Sequence, residues 1–249
     1  MLRGLWAIYK RELLGLWVTP LAWVLLFVFL IMQGMSFSLV VTHFVSFTDT
    51  SIDQGPVQVY FSSAFVHLSL LLIYPVLTMR SFAEERRSGT VELLLTAPLS
   101  ATALVLGKFV AVVSTFALLW APTLLYAFIL RNTGAVSWTL VCSSYVALLL
   151  LGTGYLACGL LMSAVTKSQL IAALLTTLLL FGAFLLGLGE EVLDPGWAQS
   201  LCAYFSPLTQ VDEFSRGIVD LRRVTLDLSV IALGLYMSVR VVESWRWAS

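Results

Sequence analysis

The chain has 249 residues, 59% of them hydrophobic and 11% charged, with a mean hydropathy of +0.95. That composition exceeds what a soluble core uses: about six membrane spans of roughly 20 residues would consume most of the length and leave no room for a separate soluble catalytic domain. Fourteen basic and fourteen acidic residues cancel, so no basic excess points to nucleic acid as a partner.

In chain order, the opening LRGLWAIYKRELLGLW places Leu2, Leu5, Trp6, Tyr9, Leu13, Leu16 and Trp17 on one helical face, with Arg3, Lys10 and Arg11 largely opposite. This pattern predicts an amphipathic helix in the membrane interface. Its charges break any apolar core before residue 17, which argues against a cleaved signal peptide. Apolar runs predict spans over 20–42, 60–79, 101–130, 139–162, 170–188 and 224–242. The third run is too long for the bilayer, since thirty residues at about 1.5 Å each reach about 45 Å. Its first turns, with Lys108, are therefore expected at the interface, the ammonium snorkelling outward. In the fourth run, Gly152, Gly154, Ala157, Gly159 and Ser163 make a small-residue surface open either to a second subunit or to a neighbouring span. Segment 189–223 carries Pro195 and Pro207, each able to open a short helix, and is expected to fold back onto the outer membrane surface.

Orientation follows from the basic residues. Ten of the fourteen fall on the N-terminus, residues 80–108, Lys167 and the C-terminal Arg240 and Arg246. The remainder, Arg131, Arg216, Arg222 and Arg223, fall on the other side, with three of them in the long 189–223 segment. The positive-inside rule then places both termini and residues 80–100 in the cytoplasm.

Residues 80–100, RSFAEERRSGTVELLLTAPLS, hold six charged side chains between two apolar runs. Glu84, Glu85, Arg86 and Arg87 are expected to extend the second span beyond the lipid. Gly89 interrupts that helix, Gly89 and Glu92 are spaced as an N-terminal cap and its third residue, and Pro98 stops the second short helix. A short helix across the membrane surface, charged on one side and leucine-rich on the other, suits a cleft in a partner. A solvated turn between spans is the plainer alternative.

The order FAEERRSGTVELLLTAPLS followed by Gly107–Lys108 resembles the signature of type-2 ATP-binding-cassette exporter permeases. FSPLTQVDEFSRGIVDLRRVTLDLSVIALGLYMSVRVVE, near the C-terminus, resembles the branch of that family with gliding-motility and nitrous-oxide-reductase-maturation permeases. The resemblance implies an all-α integral membrane protein, a single permease domain over 1–249 with six spans, in a bacterial inner membrane. It also implies a second permease copy or a similar permease, and two separate ABC ATPase subunits that hold ATP and Mg. In that family the segment matching residues 80–98 is a coupling helix, which carries over an ATPase-coupling role to Glu84, Glu85, Arg86, Gly89, Thr90, Glu92 and Leu93. No catalytic, metal or cofactor-binding residue is implied on this chain.

Other chemistries find no pattern. The phosphate-binding spacing G-x-x-x-x-G-K-[ST] is broken, because Thr102 stands where the first glycine belongs and Phe109 follows the lysine. His43 and His67 have no second ligand at helical spacing. Ser114, Ser143 and Ser144 lack a base partner and are expected to bond the backbone one turn earlier. Cys142, Cys158 and Cys202 are an odd number, two of them in apolar sequence, and read as packing residues. Ionisable residues at mid-span are scarce, against an ion-driven carrier; Asp227 comes nearest, as an interface anchor. Two functions remain: a permease driven by ATPases on other chains, or a membrane scaffold or enzyme subunit using 189–223 as an external docking platform. The substrate is not legible, although the aromatic and aliphatic spans are compatible with an amphipathic cargo.

Overall fold

The computed structural model describes residues 2–46, 55–90, 100–132, 136–194 and 196–245. Among these the chain is helical and has no strand. The helices are α1 (Leu2–Val18), α2 (Pro20–Ser46), α3 (Pro56–Phe61), α4 (Ala64–Thr78), α5 (Ala83–Ser88) and α6 (Ala101–Trp120). There follow α7 (Leu124–Asn132), α8 (Trp138–Val165), α9 (Gln169–Val192), α10 (Trp197–Phe205), α11 (Pro207–Ser215) and α12 (Leu221–Trp245). Six stretches are long and apolar enough to cross a membrane, within Pro20–Val45, Ala64–Ser88, Ala101–Asn132, Trp138–Val165, Gln169–Glu190 and Leu221–Trp245. Length and hydropathy thus fix the class, because backbone groups in hydrocarbon must be satisfied within the helix itself.

The second and third spans depart from their expected limits. What reads as one run over 60–79 is two helices, α3 and α4, separated at Ser62 and Ser63; the Ser63 hydroxyl receives the Val66 amide and starts α4. The run over 101–130 is broken by a 3-10 turn at Ala121–Thr123, where Pro122 lacks the donor an α-helix would need. Excess length is therefore absorbed by a break at that end, and Lys108 does not snorkel to the interface.

The bundle core is aromatic. Trp120 meets Phe29 with ring centroids at 5.1 Å, and Phe61 meets Tyr145 at 5.4 Å, joining α2, α3, α6 and α8. Gln33 donates to the Ser69 hydroxyl at 3.0 Å and accepts from the Tyr60 hydroxyl at 2.8 Å, an interhelical polar clamp in which every member finds a partner. The small residues of α8 serve intrachain packing. A Cβ on Gly152 would lie 2.5 Å from the Phe116 ring, one on Gly159 would collide with Thr78, and Ala157 packs on Gly234 of α12. Ser114 and Ser144 donate to the carbonyls of Val110 and Leu140, one turn earlier, as expected of lone hydroxyls in spans.

A second apolar cluster gathers Ile8, Phe82, Ala101, Leu104, Val105, Leu160, Ala164 and Val242. It brings α1, the α4–α5 turn, the start of α6 and the ends of α8 and α12 to one end of the bundle. α1 does more than float in an interface. Ile8 is buried against Gly107, where an added Cβ would meet it at 2.9 Å, while Trp6 and Leu14 point away from the protein.

At the far end α11 docks on α3, α8 and α9. Gln58 donates to Asp212 at 2.7 Å, Gln210 donates to Asp227 at 2.6 Å, and Arg223 pairs with Glu213 at 2.7 Å. The segment after α9 therefore folds back, as expected, but α11 rests on protein. Asp227 is buried and held by Gln210, a different role from an interface anchor.

Candidate functional site

The charged segment is built at the N-terminal end of the bundle. α4 stops at Thr78, a turn covers 79–82, and α5 begins at Ala83, so the expected extension of the second span to Ser88 passes through a turn and is not one continuous helix. Ser163 of α8 makes this possible. Its hydroxyl oxygen receives the amides of Phe82 at 3.0 Å and Ala83 at 3.1 Å, and the hydroxyl donates to Met79 O at 3.1 Å. Backbone groups freed by the turn are thereby satisfied at a buried site. α5 carries Glu84 and Glu85 in its first turn and Arg86 and Arg87 in its last, the arrangement its dipole favours. Gly89 ends it at φ 72, a left-handed conformation that costs glycine little and other residues more.

Below α5 lies a buried ion network. Lys108 is 1% exposed and has its three ammonium donors aimed at three acceptors: Glu12 Oε1 at 2.9 Å, Glu85 Oε1 at 2.9 Å and Ser81 O at 2.7 Å. Arg11 reaches the same Glu85 oxygen at 2.9 Å, and the Phe82 ring lies 5.2 Å from the ammonium. One cation thus joins α1, the α4–α5 turn, α5 and α6. A desolvated ammonium is tolerated only when paired in this way, and removing one member of such a buried pair strands the other.

Arg86 is tied elsewhere. Its Nη1 donates to Ala164 O and Val165 O, both at 2.8 Å, satisfying carbonyls at the α8 C-terminus, while the guanidinium covers Trp245 at 4.9 Å. Glu84 points outward and among the described residues pairs with Arg80, at 3.5 Å, and Arg87, Ser88, Gly89 and Thr90 are exposed. The Thr90 hydroxyl lies 2.9 Å from that of Ser88. Glu92 and Leu93 lie outside the described residues. A cleft of about 410 Å³ opens between α1, the 80–90 segment and α6, with Arg11, Glu12, Arg80, Glu84, Glu85 and Lys108 on its walls.

Of the sequence-derived residues, α5 therefore presents Glu84 to a visitor, and Glu85 and Arg86 face into the protein. Glu85, expected beyond the lipid as part of a surface for a partner, is instead buried, because α1 and α6 close over it. The sequence placed Arg11 on the polar face of α1 and Ser163 in the small-residue surface of α8, not in this network, and did not single out Glu12 or Ser81. A signal was available in Lys108, a lone cation in an apolar run, which calls for a carboxylate partner.

A family model described as ABC-2 family transporter protein matches residues 44–216, more than half of the chain. No curated protein matches it.

Proposed function

This chain belongs to the ABC-2 transporter family and is a multi-pass membrane permease component of an ABC transporter, and we propose that it exports a substrate, or transmits force, under the drive of ATP hydrolysis on separate nucleotide-binding subunits. ATP and Mg belong to those subunits. The N-terminal end of the bundle faces the cytoplasm, as the concentration of basic residues there favours. Residues 80–98 are the coupling segment that the ATPase pushes. Glu84 and the exposed stretch Arg87–Thr90 provide the contact, with Glu92 and Leu93 continuing it. The chain works beside a second permease, identical or similar, and 189–223 faces outward where an external partner has access. Its finer kinship is with the gliding-motility and nitrous-oxide-reductase-maturation branch, on the strength of the 205–243 sequence.

The observation that carries this reading is the fully satisfied Lys108 ammonium shared by Glu85 and Glu12. A segment that only turned the chain around would gain stability from such pinning but would not need it to work. One that receives a push needs such a rigid connection to transmit displacement into α1 and α6. The test is biochemical. The chain purified from its own membranes should carry a stoichiometric ATPase chain, and hydrolysis should vanish when that chain is stripped away and return when it is restored. Turnover by the isolated chain, or a preparation with no nucleotide-binding partner, would overturn it.

A further inference from the structure

The connection between α8 and α9 is three residues long, Thr166, Lys167 and Ser168, so it moves only with the two spans it joins. A lysine just past a helix C-terminus can turn back onto the last carbonyls of that helix, which lack amide partners. Here those carbonyls are taken. The Thr166 hydroxyl donates to Met162 O at 3.1 Å, and Arg86, reaching across from α5, donates to Ala164 O and Val165 O, both at 2.8 Å. Lys167 is left exposed, with no hydrogen bond or ion pair among the described residues.

α5 lies against this corner, touching both α8 and α9, and carries a second unmatched cation. Arg86 and Arg87 are neighbours on it, yet Arg86 packs over Trp245 while Arg87 is exposed and unpaired among the described residues. The described carboxylates at this end are by contrast matched: Glu12 and Glu85 share Lys108, Glu84 meets Arg80 and Glu243 meets Arg240. The end of α5 and the α8–α9 corner therefore form one surface with surplus positive charge, held together by the Arg86 bridge.

The chemistry of that surface narrows the partner. From Arg87 to Thr90, and again from Thr166 to Ser168, it carries no apolar side chain. A helix that lies on a membrane offers apolar side chains beside its cations, so this surface suits an aqueous protein face bearing carboxylates.

We propose that the α8–α9 corner is a second docking point for the ATPase, where Lys167, together with Arg87, receives carboxylates from an acidic patch on that subunit. The inference rests on the reading of α5 as the coupling segment and extends the contact from one helix to the end of α8. Two contacts on elements already tied by Arg86 give the ATPase a hold on α8 as well as on α1 and α6. Because the three-residue connection is fixed at both ends, little backbone freedom is lost when it docks.

A zero-length carbodiimide reads this contact in native membranes, since it activates a carboxylate and is displaced by an amine to leave an amide. The expected product is an amide between Lys167 and an aspartate or glutamate of the nucleotide-binding chain, mapped by peptide mass spectrometry. Lys167→Glu sets like charges together and should weaken ATPase retention about tenfold, the loss shrinking as salt is raised. Lys167→Arg keeps the charge but has no amine to acylate, so it should lose the amide yet retain more ATPase than Lys167→Glu. The weakening should also appear for the complex in nanodiscs of phosphatidylcholine alone. Weakening seen only with anionic lipid present would give the corner to lipid head groups and overturn the proposal, as would unchanged retention in Lys167→Glu. Absence of the Lys167 amide while a photocrosslinker at Ser88 still captures the ATPase would overturn the corner and leave the coupling reading intact; absence of both would overturn the two together.

Discussion

Glu84 and Glu85 are neighbours with opposite fates, and the difference decides what each substitution does. Glu84 is exposed with one weak ion pair, so Glu84→Ala should change unfolding in detergent by about 0–1 kcal/mol. Its effect should appear in ATPase retention, measured by co-purification from the same membranes. Lys108→Ala leaves Glu85 and Glu12 with Arg11 as their remaining cation and should destabilise the chain by about 1–3 kcal/mol. Replacing the group with apolar residues of similar volume, as Glu12→Leu/Glu85→Leu/Lys108→Met, should recover much of that stability yet leave hydrolysis uncoupled from function. If the apolar triple variant retains full coupling, the network serves only folding. At this scale the sequence identified the charged cluster and its glycine stop but not Glu85's burial. Nothing in the spacing of residues 84 and 85 reveals that Glu12, Arg11 and Lys108 arrive from other helices.

Helices were the most legible level, because apolar runs near twenty residues, with few charges inside them, can satisfy their backbone in lipid only as helices. Breaks were less legible. Ser63 and Pro122 lie inside unbroken apolar runs, so hydropathy carries straight across positions where a hydroxyl cap or a missing donor ends a helix. The small-residue surface of α8 was ambiguous for a similar reason, since glycine permits close approach without naming the neighbour. The structure supplies Phe116, Thr78 and α12 as neighbours within the chain. Gly152→Val should accordingly overpack α6 against α8 and cost about 1–3 kcal/mol, read as a lowered unfolding temperature in detergent. Gly182 has nothing within 4 Å of an added Cβ, so Gly182→Ala should be neutral or mildly stabilising, and it controls for general intolerance of the spans. Equal loss in both variants would contradict the packing assignment.

For the whole molecule, α1, α5, the start of α6 and the ends of α8 and α12 share one end, while α3, α7, α10 and α11 share the other. The side that each end faces is what the basic residues favour, and the fold-back of the segment after α9 was legible from Pro207, which opens α11. Its docking on Gln58 and Asp227 was not, because those pairings span large sequence separations. In a background where Cys142, Cys158 and Cys202 are replaced, Ser62→Cys and Ser200→Cys should react with an impermeant thiol reagent on intact cells, and Ser88→Cys should not. Labelling at 88 from outside would invert the orientation. The central claim is that an ATPase bears on the exposed end of α5, and a photocrosslinking amino acid at Ser88, illuminated in native membranes, addresses it most directly. The account predicts an adduct with a nucleotide-binding chain from position 88 and none from position 200; no such adduct at 88, or one only at 200, would contradict it.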